Sequence, residues 1–172
     1  MRLHIGGKQA HPEWKIFDIE PRPEVDFVGD AGDLSQFENN SIECIYASHV
    51  LEHFHYYLHD ALLLTLAEWY RVLKPNGQLL VSVPDLKVLC WLYNEPNLTF
   101  DDRMYLMRVI FGGQLDEHDV HYAGLDFDLM THYLQEVGFR EWRQVEKFDL
   151  FQDSSLQQFH GRYISLNMVI IK

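Results

Sequence analysis

Cysteine is scarce in this 172-residue chain, which has only Cys44 and Cys90. Two thiols cannot build the dense disulfide framework of a small secreted domain. Both stand in apolar runs, so buried free thiols in a reducing cytoplasm are expected. Basic residues are also few: 14 Lys and Arg face 26 Asp and Glu, for a formal charge of −12. A surface of that sign repels phosphate backbones, and no Lys/Arg cluster offsets it, so nucleic acid is not an expected partner. Small neutral or cationic ligands meet no such penalty. Long apolar runs are missing as well. Nothing approaches the ~20 residues that span a bilayer, and "MRLHIGGKQAH" lacks the apolar core of a secretion signal. No membrane association is expected. What remains, 47% hydrophobic and 23% charged residues, is ordinary for a globular protein, and the length suits one domain with a sizeable core.

Hydrophobic patterning then sets out the elements. "RLHIG" (2–6), "WKIFDI" (14–19), "VDFVGD" (25–30) and "IECIYAS" (42–48) read as strands, each stopped by glycine, proline or polar turn residues. Residues 60–74 place Leu62, Leu63, Leu66, Trp69, Tyr70 and Leu73 at helical spacing, with Asp60 as the expected cap. "PNG" (75–77) ends that helix, and "QLLVSV" (78–83) is a continuous apolar strand of the doubly buried kind. Strand, helix, turn and strand make a parallel βαβ unit. Helices are predicted at 86–94, at 100–111 (opened by a Thr99/Asp102 capping box) and at 127–137 (between Asp126 and Gly138). "REWRQVEKF" (140–148) and "YISLNMVII" (163–171) close the chain, and the second alternates Ile164, Leu166, Met168 and Ile170 as an antiparallel edge strand would. The aromatic set Trp91, Tyr93, Tyr105 and Phe111 falls at helical spacing and reads as core.

In an open parallel sheet, ligands bind beyond the carboxyl ends of the strands, where strand order reverses. Gly6 and Gly7 follow the first strand, Asp18 ends the second, Asp30 and Ala31 follow the third, and Ser48 and His49 follow the fourth. The set suits a nucleoside-like ligand. Glycines admit close backbone approach, an acid after the second strand can accept both hydroxyls of a ribose, and one after the third can accept from an exocyclic amine.

"HVLEH" (49–53) also spells H-x-x-E-H, a zinc-peptidase signature. That signature needs both histidines on one helix, whereas these letters directly follow a strand, so no metal is expected from it. His49 and His53 fall instead at the mouth of the ligand crevice.

The combination "IGG…FDI…VGDAGDL…IYASHVLEHF…EWYRVLKPNGQLLVSVPDL" resembles class I S-adenosylmethionine-dependent methyltransferases of the type 11 group over roughly residues 2–90. The remainder is similar to a compact bacterial branch of such proteins. The resemblance implies a Rossmann-like α/β fold, a mostly parallel sheet with an antiparallel C-terminal strand, spanning 1–172 as one domain. Its halves would be 1–85 for the cofactor and 86–172 for the substrate. It implies S-adenosylmethionine as cofactor: Gly6 and Gly7 under the methionine part, Asp18 with Ile19 at the ribose, Asp30 and Ala31 at adenine, and Ser48, His49 and Val50 on the sulfonium side. A small molecule would accept the methyl group, with His53 or His121 as candidate catalytic bases.

The chain departs from the family pattern in two ways. The first loop, "HIGGKQ", lacks the usual acid-x-Gly-x-Gly, and residues 7–14 and 20–24 leave no room for helices after the first two strands. A non-catalytic binding or scaffold domain is therefore the alternative. The short connections also predict that Leu3, Ile5, Ile16, Phe17, Phe27 and Val28 need covering, by a homodimer partner or by the C-terminal half folding back. "QLDEHDVHYAG" (114–124), with His118 and His121 among acids, lies where the resemblance implies substrate contacts, with a plain solvated loop or an H-x-x-H metal set as the alternatives, and 150–162 is a second segment that could close over the same cleft.

Overall fold

In a computed structural model describing residues Met1–Lys172, the predicted strands join in one seven-stranded sheet that runs through both halves of the chain. In chain order the strands are Arg2–Ile5 (β1), Trp14–Asp18 (β2), Phe27–Val28 (β3), Ile42–Ser48 (β4), Leu73–Pro84 (β5) and Glu141–Val145 (β6). A separate hairpin of Gln158–Phe159 (β7) and Arg162–Tyr163 (β8) follows, and then Ser165–Ile171 (β9). The spatial order is β3-β2-β1-β4-β5-β9-β6. Strands β1 to β5 pair in parallel, and β9 is antiparallel to both β5 and β6. Sequence order reverses between β1 and β4, so the crevice opens beyond Ile5 and Ser48.

The third strand is only two residues long, and no helix precedes it. At β5 the "PNG" turn becomes an irregularity within a strand: Leu73 pairs with Ile42, residues 74–77 loop out, and Gln78 resumes pairing at Cys44. The predicted C-terminal strand alternates as expected, with Leu166, Met168 and Ile170 fully buried, but it is not an edge. β6 takes the edge, because its mostly exposed Glu141–Val145 tolerates one open side, whereas β9 is apolar enough to be flanked twice.

The helices are Ala61–Val72 (α1), Leu86–Tyr93 (α2), Phe100–Phe111 (α3) and Phe127–Val137 (α4). The Thr99/Asp102 capping box forms, the Asp126 carboxylate accepts from Leu129 N–H, and Gly138 ends α4 at φ +106°. Asp60 does not cap α1. Its backbone is left-handed (φ 51°), outside the extended geometry from which a side chain reaches the first-turn N–H groups, and no such bond forms.

Burial follows the period-two rule. Leu3, Ile5, Phe17, Ile45 and Ala47 face one layer, where Leu34 and Phe37 of the 31–40 segment, Leu62, Leu66 and Trp69 of α1, and Met130 and Leu134 of α4 cover them. Trp14, Cys44, Tyr46 and Leu80 face the other, against Phe151 and Phe148. The chain therefore covers its own first strands. Leu3, Ile5, Ile16 and Phe17 are buried, Phe27 packs against the core, and of the six residues expected to need a partner only Val28 is more than half exposed. The apolar surface that argued for a homodimer is not there, because segments distant in sequence replace the missing helices.

Three further expectations change. Residues 150–162 do not close over the crevice; Phe151 instead plugs the opposite face of the sheet, against His4, Trp14 and Tyr46. Cys90 is exposed while Cys44 is buried, because Leu89 and Leu92 carry the buried stripe of α2. Burial raises the Cys44 thiol to about 11. Trp91, Tyr93 and Phe111 are exposed rather than core, and Arg162 and Arg103 lie over the Trp91 and Tyr93 rings.

His4 also lies in this second layer, 3% exposed between the Tyr46 and Phe151 rings. Desolvation lowers its pKa from 6.5 to about 4, against the opposing pull of Asp153. The unfolded chain protonates His4 more readily than the folded one does. This contribution to stability is therefore complete above pH 6.5 and is lost as pH falls toward 4. A His4→Phe variant should show a shallower loss of stability across that window, by about 3 kcal/mol in all; denaturant melts at pH 7, 5.5 and 4 measure it, and parallel slopes would refute it.

Candidate active site

A cavity of about 570 Å³ opens beyond the carboxyl ends of β1, β2 and β4. Its wall contains Gly6, Asp18, Ile19, Asp30, Ala31, His49, Val50 and His53, so eight of the eleven residues singled out from the sequence meet at one place. Gly7, Ser48 and His121 lie outside the lining.

The β1 end explains the paired glycines. Gly6 holds φ +72°, where a side chain is strained, and a Cβ there would lie 2.9 Å from the Val50 side chain, so the strand end can turn only as glycine. Gly7 serves packing instead, because a Cβ would stand 2.7 Å from the His4 ring. Its carbonyl accepts from Arg22 Nη2 at 2.8 Å.

The same Arg22 nitrogen reaches Asp18 Oδ2 at 2.9 Å, while Asp18 Oδ1 accepts from Glu20 N–H at 2.9 Å. These two bonds fix the carboxylate plane at the pocket wall and leave each oxygen with further acceptor capacity. Arg22 also lines the pocket, and its hydrogen bond to Asp18 holds its pKa above the ordinary guanidinium range. Sequence reasoning missed Arg22. Its position four residues after Asp18 in "DIEPR" was the available signal. Asp30 Oδ1 accepts from Gly32 N–H at 2.7 Å. The neighbouring Ala31 carbonyl accepts from the indole N–H of the fully buried Trp69 at 2.8 Å, which anchors this loop to α1.

The end of β4 is the most unusual part. His49 has φ 54° and its N–H donates to Ser82 O, so the chain turns sharply and enters a 3₁₀ turn at Leu51–His53. His49 and His53 are thus not on one helix, and the peptidase arrangement is excluded by backbone geometry. Ser48 points to the other side of the sheet, where its hydroxyl donates to Asp153 Oδ1 at 3.2 Å. The Glu52 backbone carbonyl accepts from the N–H groups of both Tyr122 and Ala123, and His53 Nδ1 bonds Val120 O at 3.0 Å. These bonds dock the predicted substrate loop on the strand end. Leu115, Asp116, Glu117, His118, Asp119 and Tyr122 complete the pocket wall. Gly112 permits the fold-back: a Cβ there would lie 2.5 Å from the Asp119 carbonyl.

Behind this wall, the Glu52 side chain is buried, with both oxygens lacking a hydrogen-bond donor. Desolvation raises its pKa to about 8. His121 sits beside it rather than in the pocket, with its ring 4.8 Å from that of His53. Burial lowers the pKa of His53, His121 and His49, the last to about 3. Glu52, His53 and His121 can bring ligand atoms within 4.8 Å of one another, so this cluster, rather than a helical H-x-x-E-H, is where a metal could be held.

The strand order, the antiparallel β9 and the strand-end pocket together define the Rossmann-like fold of class I S-adenosylmethionine-dependent methyltransferases. Residues 9–81 match the family model described as a methyltransferase domain. A possible histamine N-methyltransferase from Thermotoga maritima has a similar structure, with TM-score 0.63 and 18% identity, covering 99% of this chain and 81% of that one. An Archaeoglobus fulgidus methyltransferase gives 0.61 and 14% over 99% and 85%. The CurJ carbon methyltransferase gives 0.62 and 17%, with 99% of this chain spanning 47% of that one. No curated protein shows significant similarity to the sequence. The Thermotoga and Archaeoglobus proteins are described as dependent on S-adenosylmethionine. The residues of this chain fit that cofactor: a glycine turn that a Cβ would fill, a fixed carboxylate after β2 and a second acid after β3.

Replacing Asp18 with Asn should weaken S-adenosylhomocysteine binding at least tenfold, since a charge-assisted bond contributes about 1.5–3 kcal/mol. Arg22→Ala should weaken it in the same direction by releasing the carboxylate. Calorimetric affinities equal to the parent in both variants would remove the assignment.

Proposed function

We propose that the chain transfers a methyl group from S-adenosylmethionine to a small-molecule acceptor. The carrying observation is the meeting of Gly6, Asp18 and Asp30 with His49, Val50 and His53 in one cavity, closed on its far side by the 115–122 loop. When bound, the cofactor supplies an electrophilic methyl on sulfonium. The barrier to such an in-line displacement falls chiefly through positioning. Asp18 and Asp30 fix the nucleoside end, and the loop with His118 and Tyr122 supplies the acceptor's surroundings. Acidic side chains dominate this loop, which suits a neutral or cationic acceptor.

His53 is the proposed base. Its Nδ1 faces a carbonyl, which can only accept, so Nδ1 carries the proton and Nε2 keeps its lone pair. Burial holds the ring neutral near pH 7, the state able to take a proton from the acceptor. His121 has no pocket surface, so its part is to position His53. A cytoplasmic setting accompanies this reading, supported by two unpaired thiols and by the lack of any helix long and apolar enough to cross a membrane.

The alternative, a binding domain that has lost catalysis, draws on the reduced glycine loop at Gly6 and Gly7. Calorimetry with S-adenosylmethionine and S-adenosylhomocysteine, followed by mass-spectrometric detection of S-adenosylhomocysteine across a panel of small amines, alcohols and carboxylates, separates the two. Cofactor binding with acceptor-dependent turnover is expected, and His53→Gln should lower that turnover about 100-fold with cofactor affinity retained. Binding without turnover on any acceptor favours a cofactor-binding domain that has lost catalysis, and no binding at millimolar cofactor rejects methyl transfer and leaves the scaffold reading.

A further inference from the structure

The Glu52 carboxylate has no function in the reading above, yet it is 1% exposed and neither oxygen has a hydrogen-bond donor. A charged group left so is costly, because desolvation is uncompensated. Three imidazoles surround it. His49 Nδ1 lies 3.4 Å and His121 Nε2 4.0 Å from Glu52 Oε1, and the His53 ring packs edge-on to that of His121.

The tautomer of each ring follows from its outer partner. His53 Nδ1 and His121 Nδ1 face the carbonyls of Val120 and Val109, both at 3.0 Å, and must donate to them. His49 Nε2 lies 2.9 Å from Ser165 Oγ. That hydroxyl already gives its single hydrogen to Ser154 O at 2.8 Å, so the His49 nitrogen is the donor. Each ring therefore keeps its proton on the outer nitrogen and a lone pair on the other. His49 Nδ1, although near Glu52, has no proton to offer it. A carboxylate and several neutral imidazoles, each imidazole oriented by a bond on its far nitrogen, are the arrangement of a transition-metal site.

We propose that Glu52, His53 and His121, with His49 as a further donor, bind one divalent first-row transition-metal ion; the ion takes the Nε2 lone pair of His53, so the metal-loaded chain holds this ring as a ligand and only the metal-free chain offers it as a base. Tetrahedral bonds of this kind place ligand atoms about 3.3 Å apart, and the Glu52, His53 and His121 atoms all lie within 4.8 Å of each other. A closure of an ångström or so through side-chain rotation completes the set. Imidazoles with one carboxylate favour zinc, cobalt or iron over magnesium or calcium. This reverses the expectation from the sequence pattern. The helical H-x-x-E-H is absent, but its last two residues are joined by His121, which lies far along the chain. Such an ion ties the turn after β4 to the 114–124 loop, which lines the cavity, and so orders that part of the wall.

The test uses the untagged full-length chain stripped with chelator, without cofactor, so its outcome is independent of methyl transfer. Zinc calorimetry should show one ion per chain with micromolar or tighter affinity. Cobalt should give the visible absorption bands of a four-coordinate site, and zinc should raise the melting temperature. Glu52→Gln and His121→Ala should each weaken zinc at least tenfold while still melting cooperatively. His118→Ala, at the exposed histidine of the same loop, should bind as the parent does. Absence of stoichiometric zinc or cobalt binding, or parent-like affinity in either Glu52→Gln or His121→Ala, overturns the site.

Discussion

A parallel sheet cannot leave either face in water, and this one must meet that constraint without the helices that usually follow its first two strands. Residues 6–13 and 19–26 connect parallel neighbours without a helix, so the covering layers come from elsewhere. On one face Leu34, Phe37 and Trp69 are drawn over Leu3, Ile5 and Phe17. On the other, Phe151 and Phe148 travel back from the C-terminal half to cover Trp14 and Tyr46. Both layers hold the strand ends in place. The Trp69 indole bonds the Ala31 carbonyl, and Asp153 accepts from the hydroxyls of Tyr46 and Ser48.

The cavity inherits its form from that solution. With no helix above Gly6, the wall after β1 and β2 is a network of side chains, in which Arg22 bridges the Gly7 carbonyl and the Asp18 carboxylate. The opposite wall is a loop, held by two hydrogen bonds to the Glu52 carbonyl and one from His53. The histidines behind it are neutral because they are buried, and a neutral ring with a fixed tautomer is what either a base or a metal ligand requires. The single lone pair of His53, on Nε2, can therefore serve the proposed proton acceptor or the proposed cation site, but not both at once.

Much of the architecture was legible in local sequence. Alternation and turn residues placed most of the strands, helical spacing placed the four helices, and the acids after β2 and β3 marked the pocket before any coordinates. What failed to be legible involved partners far along the chain. The exposure of Cys90, Trp91 and Phe111 was hidden because periodicity identifies the faces of α2 and α3 but not how deeply each is covered. The role of Phe151 was missed because a polar stretch with one aromatic gives no sign of which sheet face it will reach.

The sequence by itself determined the element order, the parallel topology and the kind of residue at each strand end, since these rest on interactions between near neighbours and on two simple periodicities. Only the tertiary structure decided which side chains share a site. Ser48 and His49 are adjacent in sequence, yet a positive φ at His49 helps send one toward Asp153 and the other toward Glu52. Glu52 and His121 stand far apart in the sequence and meet because the loop after α3 folds back at Gly112. Such meetings depend on long-range packing, whose geometry no local pattern encodes.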